Sequence, residues 1–86
     1  MDMQWDEKAK KNFDEIISQL PQFHRSIAEQ LVKEKSEIIA QERNASAVEA
    51  KDVVSAFFQE VPPAFKDMMK RLMSKQGIDY SEYAKD

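Results

Sequence analysis

Residues 21–43 read PQFHRSIAEQLVKEKSEIIAQER, and this stretch decides the fold. Phe23, Ile27, Ala28, Leu31, Val32, Ile38 and Ile39 recur at helical spacing, so a helix gathers them on one arc covering nearly half its circumference. Glu29, Lys33 and Glu37 make an i,i+4 ladder on the other side. Pro21 is tolerated in a first helical turn and marks the entry. The spacing predicts a helix from about Gln22 to Arg43, roughly six turns long. It is expected to be the central helix, because so wide an apolar arc needs more than one neighbour.

On the N-terminal side, Trp5, Ala9, Phe13, Ile16, Ile17 and Leu20 fall at steps of three and four, which predicts an amphipathic helix with Asp6 as its N-cap and Pro21 as its stop. On the C-terminal side, Asn44-Ala45-Ser46 is a turn signal before a third helix. Two starts compete for that helix. Ser46 and Glu49 have the spacing of a capping box. Val48, however, falls opposite Ala50, Val53, Val54, Phe57, Phe58 and Val61 if it is already helical, which suggests a short extended piece and a start nearer Glu49, and these residues leave both starts open.

Pro62-Pro63 ends the third helix, and Phe65, Met68, Met69, Leu72 and Met73 form the stripe of a fourth. Gly77 closes it, where a left-handed backbone is needed, with Ile78 placed to pack back on Met73. The expectation is therefore one all-α domain over residues 1–86, a compact bundle of about four helices. Trp5, Phe13, Ile27, Leu31, Ile38, Val53, Phe57 and Leu72 are expected in the core. Residues 78–83 should dock on the bundle, whereas residues 1–4 and 84–86 should fray.

Composition narrows the chemistry. The chain has 86 residues, 42% hydrophobic and 34% charged, a balance that folds rather than stays disordered. Without cysteine there is no disulfide, zinc-thiolate site or thiol nucleophile, which suits a reducing cytoplasm. The first residues carry neither a basic start nor a signal core, and no apolar run reaches the roughly 20 residues of a membrane span. A formal charge of -3 argues against general nucleic-acid binding. A single glycine excludes a Gly-rich phosphate loop.

His24 is the only histidine, so a His-pair metal site is excluded. It sits near the middle of the apolar arc, either as an acid/base or ligand group or as a half-buried ring at a helix end. The carboxylates read as a solvated helical surface rather than a catalytic pair. Lys35 and Glu42 share the arc of Leu31, Ile38 and Ile39, as a partner-facing seam or as stems reaching to water. Met68, Met69 and Met73 read as core or as an adaptable surface. Lys66, Lys70, Arg71 and Lys75 make the last helix basic, which compensates its dipole or meets an acidic group. No catalytic, cofactor or metal residue is assigned.

Trp5 with Ala9, Leu20-Pro21-Gln22-Phe23-His24-Arg25, Ala40, and Val48 through Ala56 resemble the small helical domain at the C-terminus of the B subunit of light-independent protochlorophyllide reductase. Pro21, Phe23 and Arg25 match its long-helix entry residue by residue. The long helix here is about one turn longer, and residues 62–86 lie beyond that domain. Small bacterial proteins carrying the same domain are more similar still, with a final Ile78-Asp79-Tyr80-Ser81-x-Tyr83. The resemblance implies a helical fold and an accessory role, or else an accessory subunit of an oxidoreductase in tetrapyrrole synthesis. The reductase's chemistry uses a metallocluster and partner subunits that this chain lacks.

Val48 through Phe57 also resembles the loop and last helix of histone folds, where a short strand precedes an Asp-Val-containing helix. That likeness implies a DNA-binding dimer joined through the long helix. Together the residues favour a non-catalytic cytoplasmic interaction domain with a protein partner, a second copy among the candidates. Phe23, His24, Arg25, Lys35 and Glu42 are the candidate contact residues.

Overall fold

Asp6 starts the first helix as expected: its Oδ1 accepts the Ala9 N–H at 2.7 Å. The computed structural model describes residues 3–83. Before Asp6 lies a two-residue strand, β1 (Gln4–Trp5), followed by α1 (Glu7–Gln19) and the long α2 (Gln22–Glu42). A second short strand, β2 (Ala47–Val48), leads into α3 (Ala50–Glu60), and a 3-10 turn at Pro63–Phe65 leads into α4 (Lys66–Lys75). The fold is the expected all-α bundle of four helices, with α2 the longest.

The short strands pair in parallel, Gln4 with Ala47 and Trp5 with Val48, and the Asp6 N–H extends the ladder to the Val48 carbonyl at 3.0 Å. Gln4 is therefore held and Met3 is half-buried against the core, neither frayed; the remaining fraying expected for residues 1, 2 and 84–86 lies outside the described residues. This bridge settles the third helix in favour of the later start. Glu49, not Ser46, is the N-cap, and its N–H donates to Asp52 Oδ2 at 2.9 Å. The local acid that serves the helix end is thus Asp52.

Two helix ends close in the same way. Gly77 takes φ +72°, and the Ile78 N–H returns to the Met73 carbonyl at 2.9 Å. At the end of α2, Asn44 takes φ +60°, and the Ala45 N–H returns to the Ala40 carbonyl at 2.9 Å. Both are Schellman closures, with the left-handed residue just past the helix. The turn after α2 is consequently tight, four residues before β2 begins.

The middle of the core comes from α3, whose Val53, Val54, Ala56, Phe57 and Phe58 are buried against α1, α2 and α4. Phe13 supplies the α1 side, 6.0 Å from Phe57 between ring centroids, and Trp5 packs edge-on to Phe13 at 5.3 Å. Met69 and Met73 fill the α4 side, where the methionines act as plain core. Ile78, Tyr80 and Tyr83 pack against this cluster, Tyr80 lying 5.9 Å from Phe58.

The long helix corrects the sequence expectation. Ile27, Leu31 and Ile38, expected in the core, are exposed. What α2 buries is the adjoining row Val32, Ser36 and Ala40, with Ala28 half-buried in line with them. Small side chains at i,i+4 let the α2 and α3 backbones approach closely, and the bulkier row beside them is left facing outward. Nor do Glu29, Lys33 and Glu37 act as a ladder: the Trp5 indole N–H donates to Glu37 Oε2 at 2.9 Å, tying β1 to α2.

Candidate functional site

The outward row of α2 begins at the helix entry. Phe23 is 74% exposed, Ile27 60%, Leu31 43% and Ile38 46%. The first three stand one helical turn apart, and Ile38 follows Leu31 by seven residues, so the row runs about 22 Å along the helix. Lys35 and Glu42 continue it at the same spacing, the first half-buried and the second exposed. Among the described residues neither forms an ion pair.

At its N-terminal end the row borders a groove. Pro62 and the 3-10 turn at Pro63–Phe65 swing the chain back across the start of α2, and the gap between them is an apolar hollow of about 200 Å³. Leu20, Ile27, Leu31, Val61 and Met68 line it, with Glu60 contributing a charge to its wall. Two rings belong to its wall, His24 and Phe65, which meet edge-on at 5.6 Å, and Phe23 lies beside His24 at 4.1 Å. Phe65, expected in the stripe of the fourth helix, is instead 38% exposed here. Its part in the site was hidden because the Pro-Pro turn, which sets its direction, carries no periodicity.

The Phe23 and His24 rings lie side by side at the entry of α2. Arg25 faces elsewhere. Its Nε donates to the Leu20 carbonyl at 2.9 Å and its Nη2 to the Ser18 carbonyl at 3.0 Å, so it caps the unsatisfied end of α1 and fixes the α1–α2 corner. Lys35 and Glu42 lie farther along the same outer face of α2.

A second polar cluster joins α2 to α3. Arg43 Nε donates to Asp52 Oδ1 at 2.8 Å, and Arg43 Nη2 donates to Asp52 Oδ2 at 2.7 Å and to Glu49 Oε2 at 2.9 Å. Burial pushes the Asp52 carboxyl up, but the guanidinium and the Glu49 amide outweigh it and hold it below its ordinary value. Asp79 is also lowered, by the Ser81 N–H and hydroxyl. Both groups are fixed as anions by local donors. Among the described residues no group of three or more His, Asp or Glu side chains is placed to hold a metal ion, and no helix is long and apolar enough to cross a membrane.

Fold and surface together define a small four-helix domain with a large apolar face left open on its longest helix. The chain belongs to the family described as "Protein of unknown function (DUF2621)", whose model matches residues 1–86. No curated protein and no solved structure matches it.

Proposed function

We propose that this chain is a cytoplasmic, non-catalytic helical accessory domain that binds another polypeptide along the outer face of α2. The observation that carries this reading is the exposure of Phe23, Ile27, Leu31 and Ile38 along one face of α2, with Phe65 exposed beside its entry. Taking ~200 Å² for a whole large side chain, they expose on the order of 500 Å² of apolar surface. Scattered single residues need no explanation, but a patch of this size is in the range of a protein's largest apolar patch, which is often functional, and that supports an interaction role.

The hollow beside the patch favours a polypeptide over a small molecule. At about 200 Å³ it is smaller than the roughly 300–1,000 Å³ of small-molecule sites. It suits one or two inserted side chains, and its aromatic wall is the kind of rigid anchor that dominates interface energetics.

Affinity capture from the native host tests the reading. Wild-type chain should retain one or more proteins that Phe23→Glu and Ile27→Lys lose, with circular dichroism unchanged because both positions are exposed. Equal capture by wild type and both variants would refute it.

A further inference from the structure

We infer that the polypeptide bound at the outer face of α2 is basic where it meets the end of α3: it sets a large apolar side chain in the hollow and, from within one helical turn of that residue, closes the open end of α3 with an Arg or Lys. The inference rests on the reading of this face as an interaction surface, and it names the chemistry of the partner.

Unmet acceptors are the first argument. A helix leaves its last carbonyls without donors of its own, and something else must serve them. The chain closes α1, α2 and α4 itself. Arg25 donates to the Leu20 and Ser18 carbonyls after α1, and the left-handed Asn44 and Gly77 return the Ala45 N–H to Ala40 and the Ile78 N–H to Met73. The end of α3 differs. The Val61 N–H reaches the Phe57 carbonyl at 2.9 Å, but the donors next in line for the Phe58 and Gln59 carbonyls would be residues 62 and 63, and both are proline. Proline brings no N–H in any conformation, so no small shift of the chain closes this end. Among the described residues, Ser18 and Arg25 are the side chains that donate to backbone carbonyls, and neither serves α3.

Charge is the second. Glu60, the last residue of α3, is exposed, lines the hollow together with Val61 and Pro62, and forms no ion pair among the described residues. No basic residue stands in that last turn, so carboxylate and helix dipole present one sign at one spot, where a cation is favoured and a carboxylate repelled. His24 is the other polar side chain of the lining, and the rest is apolar.

The two features adjoin, and that selects the occupant. An inorganic cation would serve the end of α3 and leave the hollow of about 200 Å³ unfilled, whereas an acidic segment would set like charges together. A guanidinium or ammonium three or four residues from a Leu- or Phe-sized side chain serves both, because side chains so spaced on a helix are neighbours about 5–6 Å apart.

Panning a phage-displayed library of random short peptides on the full chain tests the proposal. Peptides with Arg or Lys three or four residues from a large apolar residue should be enriched. Calorimetric titration of the best of them should give a Kd about 5-fold higher for Glu60→Gln, about 2-fold or less higher for Glu60→Asp, and rising with salt. Glu60→Gln removes a carboxylate from a negative helix end and should melt no lower than wild type, so its weaker binding is not lost folding. Enriched peptides with no recurrent cation, or an affinity unchanged in Glu60→Gln, overturn the basic partner; if such peptides still lose binding on Ile27→Lys, the interaction surface stands. Peptides that bind Ile27→Lys as tightly as wild type, or a library that enriches nothing, overturn both readings.

Discussion

Arg43, just past the end of α2, grips both oxygens of Asp52 in the first turn of α3, at 2.8 and 2.7 Å. Asp52 is 1% exposed and also accepts the Glu49 N–H that caps α3. One carboxylate therefore starts a helix and ties it to the previous one. Arg43→Ala strands a buried anion, and its urea midpoint should fall further than that of the paired Arg43→Ala/Asp52→Asn variant. Removing both partners costs less than orphaning one. Equal midpoints would show that the pair does not hold the corner.

The same pair sets an acid dependence. The folded Asp52 pKa lies below its unfolded value, so its contribution is fully present above the unfolded carboxylate range, ~4, and is lost as pH falls through the lower folded pKa. Wild type should lose stability on that acid limb more steeply than Asp52→Asn, as followed by thermal melts from neutral pH downward. Parallel curves would contradict this.

Trp5 is the only tryptophan, and its indole N–H donates to Glu37. Glu37→Ala should cost about 1 kcal/mol and shift Trp5 emission to the red as β1 loosens from α2. Glu37→Gln keeps an acceptor and should do neither. Unchanged emission in the alanine variant would show that β1 is held by the strand bridge alone.

Ser36 lies fully buried on the inner row of α2, with no partner for its hydroxyl among the described residues. Ser36→Ala removes an unsatisfied polar atom and should stabilise by up to about 1 kcal/mol. Ser36→Ile overpacks the close α2–α3 approach and should destabilise by about 1–3 kcal/mol. Denaturant midpoints moving in opposite directions are expected; two destabilised variants would point to a hidden partner for the hydroxyl.

Helix ends were legible because each rests on local chemistry: Asp6 caps within its own turn, Pro21 stops α1, and Gly77 with Ile78 closes α4. The rotation of α2 was not. Its apolar arc is wider than one contact face, and a helical wheel weighs Ile27 and Leu31 above Ala28 and Ser36, whereas close packing on α3 selects the smaller pair. The candidate site was legible at Phe23 and His24, which are neighbours in sequence. Phe65 joins them only through the direction of the Pro62-Pro63 turn, and Glu60 only through the packing of α3 against α2. Arg25 and Arg43 were opaque for a related reason: their acceptors are carbonyls and acids across a corner, and spacing within one helix does not encode them.

The outer row of α2 as the working surface can be tested most directly by photo-crosslinking in the native host, with a photoreactive phenylalanine analogue placed at Phe23, Ile27 or Ile38 and, as controls, at exposed Lys8, Asp14 and Glu82. Discrete adducts from the three α2 positions and none from the controls are predicted. Adducts from the controls alone, or no adduct from α2, would contradict the account.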